Sequence, residues 1–107
     1  MASLDCVVDA LRRRCRFFMK NDNIDKIYVT LDDKSEEVHV TLILSEEVSK
    51  DTLISYAIRY ERTFADLSYY TFRFINPNDY FQSNKDNCYV VWKKNCGFIG
   101  ESIIRKA

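Results

Sequence analysis

The chain has 107 residues, a length that suits one domain able to bury roughly 60–70% of its unfolded surface. Two glycines and one proline beside 47% hydrophobic and 14% aromatic residues exclude a linker-rich chain and predict an aromatic-rich core. Sixteen basic and sixteen acidic side chains cancel, which excludes nucleic-acid binding through a general basic excess; attraction to phosphate needs a local patch.

The N-terminus turns acidic and then basic before any long apolar run develops, so no secretory leader is read there. No apolar stretch approaches the roughly 20 residues of a membrane span. Cys6, Cys15, Cys88 and Cys96 form no C-x-x-C pair and histidine occurs once, so neither a metal nor a cofactor is expected. The thiols read as reduced groups in a cytoplasmic protein, with Cys6 and Cys15 packed as small apolar side chains.

In chain order, Ser3 is placed to cap a helix. Leu4, Val8, Leu11, Cys15 and Phe18 form one stripe of it, running to about Lys20 with Asn21 as the stop. Asp5 and Asp9 precede Arg12, Arg13, Arg14, Arg16 and Lys20, which complements the helix dipole and sets Asp9 one turn from Arg13. Arg13, Arg16 and Lys20 share the opposite face and read as a solvated basic patch. Lys26 to Leu44 follows as a hairpin: Ile27, Val29 and Leu31 alternate with Tyr28 and Thr30, and Val38, Val40, Leu42 and Leu44 with His39, Thr41 and Ile43. Asp32, Asp33, Lys34 and Ser35 make its turn.

Ser49 is the predicted cap of a second helix, ending near Asp66. Its buried stripe is Leu53, Ala57, Tyr60, Phe64 and Leu67, flanked by Tyr56 and Ile54, with Ser55, Arg59 and Arg62 outside. Residues 69–75 read as a third strand with Tyr70, Phe72 and Phe74 toward the core, stopped by Pro77 and its polar neighbours. Residues 76–87 form a loop whose Tyr80 and Phe81 fold back on the core edge. Residues 88–94 read as a fourth strand with Val90 and Trp92 inward. The tail, 95–107, is open to three readings: a short helix, a swapped arm or a frayed end.

The fold class is therefore α+β in one domain, 1–107. Its order is helix-strand-strand-helix-strand-strand, giving a mostly antiparallel four-stranded sheet with two helices on one face. The leading arrangement is a ferredoxin-like sandwich with its first strand moved to the end, which needs strand four between strands two and three. The alternative sets strand four beside strand three.

The chain has no G-x-S-x-G elbow, phosphate loop or dinucleotide turn. His39 lies mid-strand and reads as an ordinary sheet residue. The acidic pairs 32–33, 36–37 and 46–47 lack calcium-loop spacing and read as solvated turns. The one derivable constellation is the sheet face turned from the helices, where Thr30, Thr41 and Thr71 accompany the partner-binding candidates Tyr28, His39, Tyr69, Arg73, Tyr89 and Lys93. The expected function is a non-enzymatic protein-interaction domain, such as an inhibitor, immunity-type protein, adaptor or chaperone. The alternative is a single-stranded RNA or DNA binder that stacks bases on that face. A homodimer sealed along an edge strand is a further expectation; a membrane partner is not expected.

Overall fold

Ser3 accepts the Cys6 N–H on its side-chain oxygen at 3.2 Å and so starts helix α1 (Leu4–Asn21) where expected. The computed structural model describes residues 3–32, 34–79 and 88–99. After α1 come β1 (Ile24–Leu31), β2 (Val38–Leu44), α2 (Lys50–Thr63), β3 (Tyr70–Ile75), a 3-10 turn at Pro77–Asp79, β4 (Cys88–Lys93) and a short β5 (Gly97–Phe98). Ser49 caps α2 by accepting the Thr52 N–H, again as expected.

The strands form one mixed sheet in the order β3-β2-β1-β4-β5. β1 pairs antiparallel with both β2 and β4, β4 antiparallel with β5, and β2 parallel with β3. The sheet is mostly antiparallel, as expected, but it holds five strands rather than four and one of its pairs is parallel. α2 returns the chain to the neighbouring strand as a β-α-β crossover, the connection a parallel pair requires. β3 therefore lies directly on β2, and β4 takes the far side of β1. No strand stands between β2 and β3, as the permuted ferredoxin-like order would need, and β4 is not beside β3 either.

Both helices feed one core cluster against the same side of the sheet. Val7, Leu11 and Cys15 of α1 share it with Ile27 and Val29 of β1, and α2 contributes Tyr60, with Phe64 at its C-terminal cap. The rings interlock over β3: Tyr60 meets Phe74 edge-on at 4.9 Å, and Phe64 lies 4.8 Å from both Phe72 and Tyr70. Such pairs add about 0.5–1.5 kcal/mol each beyond the area they bury. The expected inward row of Tyr70, Phe72 and Phe74 is present, each about nine-tenths buried.

Polar clamps fix the helices to one another. Asp22, buried at the end of α1, accepts from Arg59 and from the Tyr60 hydroxyl, both at 3.0 Å. Burial, then the Asp22 charge, pushes the Tyr60 phenol far up. Arg59 also lies over the rings of Phe18 and Tyr56. At the other end, Arg14 forks onto Asp66 with bonds of 2.6 and 3.0 Å and holds its carboxyl below the usual range.

Three side-chain expectations are corrected. Cys6 is exposed, whereas Cys15 is buried. Ile54 does not flank the buried stripe of α2; it is 56% exposed, and Ile58 is 45% exposed. In β4 the pairing jumps from Ile27–Trp92 to Tyr28–Val90, leaving Val91 as the extra residue of a bulge. Val91 and Trp92 then both pack on the core side, Val90 turns to the free face, and Tyr89 pairs with Val29 and packs inward. A tight turn with Asn95 and Gly97 at positive φ carries the chain into β5, so residues 97–98 are strand. Expectations for Tyr80, Phe81 and residues 100–107 lie outside the described residues.

Candidate functional site

Strand alternation and register place one row of side chains on the face away from the helices. It runs Thr71–His39–Thr30–Cys88 across the sheet, then Arg73–Thr41–Tyr28–Val90, then Ile75–Ile43–Lys26–Lys93. Of the predicted partner residues, His39, Arg73 and Lys93 belong to this row and reach solvent. Tyr69, 41% exposed, enters β3 from the same side with its ring 5.0 Å from that of Tyr70.

The other two do not present themselves. Tyr28 lies on the central strand between Thr41 and Val90 and is 7% exposed; with Ile43 and Cys88 it forms a second small apolar cluster. Tyr89 faces the helices because of the Val91 bulge. Two tyrosines expected to stack on a ligand are thus packing groups.

His39 sits where β2 leaves the hairpin turn. Its Nδ1 lies 2.8 Å from the Thr71 hydroxyl and its Nε2 3.3 Å from a Glu37 carboxylate oxygen. Asp32 completes a group of three whose ligand atoms lie within 4.8 Å of one another. The Ser35 hydroxyl and the Lys34 and Ser35 amides hold the Asp32 carboxyl below its usual range. A divalent cation is the chemistry these residues suit, yet the Glu37–His39 contact and the turn bonds already account for their approach.

A groove of about 620 Å³ runs between α1 and the β4–β5 end, lined by Arg12, Arg16, Met19, Trp92, Gly97 and Phe98. The Arg12 guanidinium lies 5.2 Å from the centre of the Phe98 ring. Of the predicted basic patch, Arg13 pairs with Asp9 at 3.0 Å and Arg16 is exposed; the Lys20 side chain lies outside the description.

The opposite end differs. Ile54, Ile58 and Tyr69 are the large apolar side chains recorded as exposed among the described residues, and all belong to α2 or the entry to β3. The flank of α2 toward α1 carries Arg59, bonded to Asp22, and Thr63, whose carbonyl meets Arg14. At 100° per residue, Ile54 is about 180° and Ile58 about 140° round the helix from Thr63. Ile54 therefore stands on the side of α2 beyond β3, while Ile58 lies higher, toward the outer crest of the helix, where it lines a shallow depression with Ser55, Arg59 and Arg62.

Below them β3 is an end strand of the sheet. The Val38 amide donates to the Tyr69 carbonyl at 2.9 Å, and Val38, Val40 and Leu42 pair with Tyr70, Phe72 and Phe74. In a parallel ladder those bonds run to the residues on either side of each partner. Residues 69, 71, 73 and 75 thus spend their main-chain groups on β2, while Tyr70, Phe72 and Phe74 point theirs outward. The Tyr70 amide returns to the Leu67 carbonyl at 3.1 Å. Among the described residues no other segment pairs with this edge. Sequence reasoning missed the isoleucines, although their four-residue spacing off the Tyr60–Phe64 stripe was a usable signal; the open edge had none.

No protein-family model, curated protein or solved structure matches the chain.

Proposed function

We propose that this is a non-enzymatic protein-binding domain, of the inhibitor, immunity-type, adaptor or chaperone-like kind, working in the cytoplasm. The observation that carries the reading is the outer edge of β3, whose Phe72 and Phe74 main-chain groups have no strand partner among the described residues, beside the exposed Ile54 and Ile58 of α2. An extended segment of another polypeptide gains main-chain hydrogen bonds along such an edge and buries apolar side chains under the helix. Tyr69 and Arg73, at the same strand, are residue types enriched as interface anchors. His39 and Lys93 extend the contact onto the free face.

Single-stranded nucleic acid across the free face has less support. Stacking needs accessible rings, and of Tyr28, Tyr69 and Tyr89 only Tyr69 is an exposed residue. Among the described residues no helix is long and apolar enough to cross a membrane.

A photo-crosslinking residue placed at Ile58, and separately at Arg13 on α1, tests the reading in cells. Adducts to polypeptide at position 58 and not at position 13 are expected. Equal labelling at the two positions, or none at 58, removes it.

A further inference from the structure

We infer that the edge of β3 pairs with β3 of a second copy, in antiparallel register about Phe72, to give one continuous sheet across the two chains. The inference rests on the protein-binding reading and names its partner. The outward groups fit themselves. A two-fold axis at Phe72 sets the Phe72 amide against the partner's Phe72 carbonyl and the reverse. It also sets each Phe74 amide against the opposite Tyr70 carbonyl; the Tyr70 amide, bonded to Leu67, gives no bond in return, so the ladder holds one full pair at Phe72 and a single bond on either side of it. This register engages all three outward residues of each chain.

Charge selects the same register. With Phe72 on the axis, Arg73 of one chain stands opposite Thr71 of the other on the free face. A one-residue slip centred on Arg73 would set the two guanidiniums against each other, a destabilising like-charge pair. Proline at 77 limits pairing beyond the strand. The chain's formal net charge is zero, so two copies meet without long-range repulsion.

The same axis accounts for the isoleucines. All four helices lie on one side of the joined sheet, and each α2 presents the flank away from its own α1 toward the dyad. Ile54 of each chain then stands nearest the seam, with Ile58 one turn on and higher on the same helix. Tyr69 stands at the end of the same seam.

Sedimentation velocity over a concentration series, with variants at Thr71, tests the register. Thr71 is exposed on the free face, so its substitution does not disturb the core. The wild-type chain is expected to dimerise reversibly. Thr71→Arg sets arginine opposite arginine twice by symmetry and weakens the dimer roughly two- to thirty-fold; Thr71→Glu supplies Arg73 with a carboxylate and tightens it by a similar factor. Ile58→Asp also weakens it, and circular dichroism checks that each variant is folded. A monomer at every concentration to the solubility limit overturns the inference, as do equal shifts for Thr71→Arg and Thr71→Glu. If the chain stays monomeric while position 58 still crosslinks a different polypeptide, the protein-binding reading stands and only the second copy is wrong.

Discussion

Tyr28 and Phe72 sit two strands apart in one sheet, and they leave opposite parts of themselves to a partner. Tyr28 points away from the helices, but β2 and β4 flank its strand and the side chain is 7% exposed. Phe72 sends its ring into the core and turns its amide and carbonyl toward an edge that no described segment pairs with. At the centre of the sheet neither side chain nor main chain is on offer; at the β3 end the main chain is. The proposed binding surface accordingly centres on an edge and the helix flank above it, with the free face only its margin.

The largest effect expected from this contrast is on stability. Phe64→Ala removes the ring wedged against Phe72 and Tyr70 and should cost about 3–5 kcal/mol in urea unfolding. Ile58→Asp, on the exposed flank of the same helix, should change stability by no more than about 0.5 kcal/mol. If Ile58→Asp unfolds the monomer as Phe64→Ala does, the isoleucine belongs to the core and the edge surface loses its helix wall.

On the free face the same comparison separates the tyrosines. Tyr28→Ala should cost about 3 kcal/mol, because it empties a packed site on the central strand. Tyr69→Ala should stay within about 0.5 kcal/mol. A Tyr28→Ala protein of wild-type stability would reopen that face as a stacking platform.

How much of this was legible follows from how far each signal reaches along the chain. Ser3 and Ser49 declare their caps because donor and acceptor are three residues apart. Val38, Val40, Leu42 and Leu44 declare their face because alternation is local. Tyr89 was misplaced since one bulge residue, Val91, inverts the alternation, and nothing in CYVVWK marks it. Ile54 was misplaced because a helix flank is exposed or covered according to where the next helix lies. The open edge of β3 depends on the order of the whole sheet, which a β-α-β crossover sets and no short stretch records. Burial of Tyr28 is equally global: alternation gives the face on which a side chain stands, not how much of it solvent reaches.

A smaller effect concerns pH. Burial pushes the Cys15 thiol from 9.0 up to about 12 and the Tyr70 phenol from 10.0 up to about 12. Both groups are neutral when packed, so the folded protein holds their protons more tightly than the unfolded chain. Their contribution to stability is complete below pH 9 and is lost as pH rises through about 12. Urea midpoints should fall across that interval, and Cys15→Ala should flatten the early part of the fall. A midpoint independent of pH there would place Cys15 in contact with solvent and loosen the anchorage of α1.

Amide hydrogen exchange, read residue by residue at low and at high protein concentration, bears most directly on the edge. The Thr71 and Arg73 amides bond to β2 and should be protected at both concentrations. The Phe72 and Phe74 amides face outward and should exchange fast when dilute, then slow as concentration rises and a second strand takes them up. Fast exchange of Phe72 and Phe74 at every concentration would contradict pairing with a second copy, and slow exchange in dilute protein would show that the edge is not open at all.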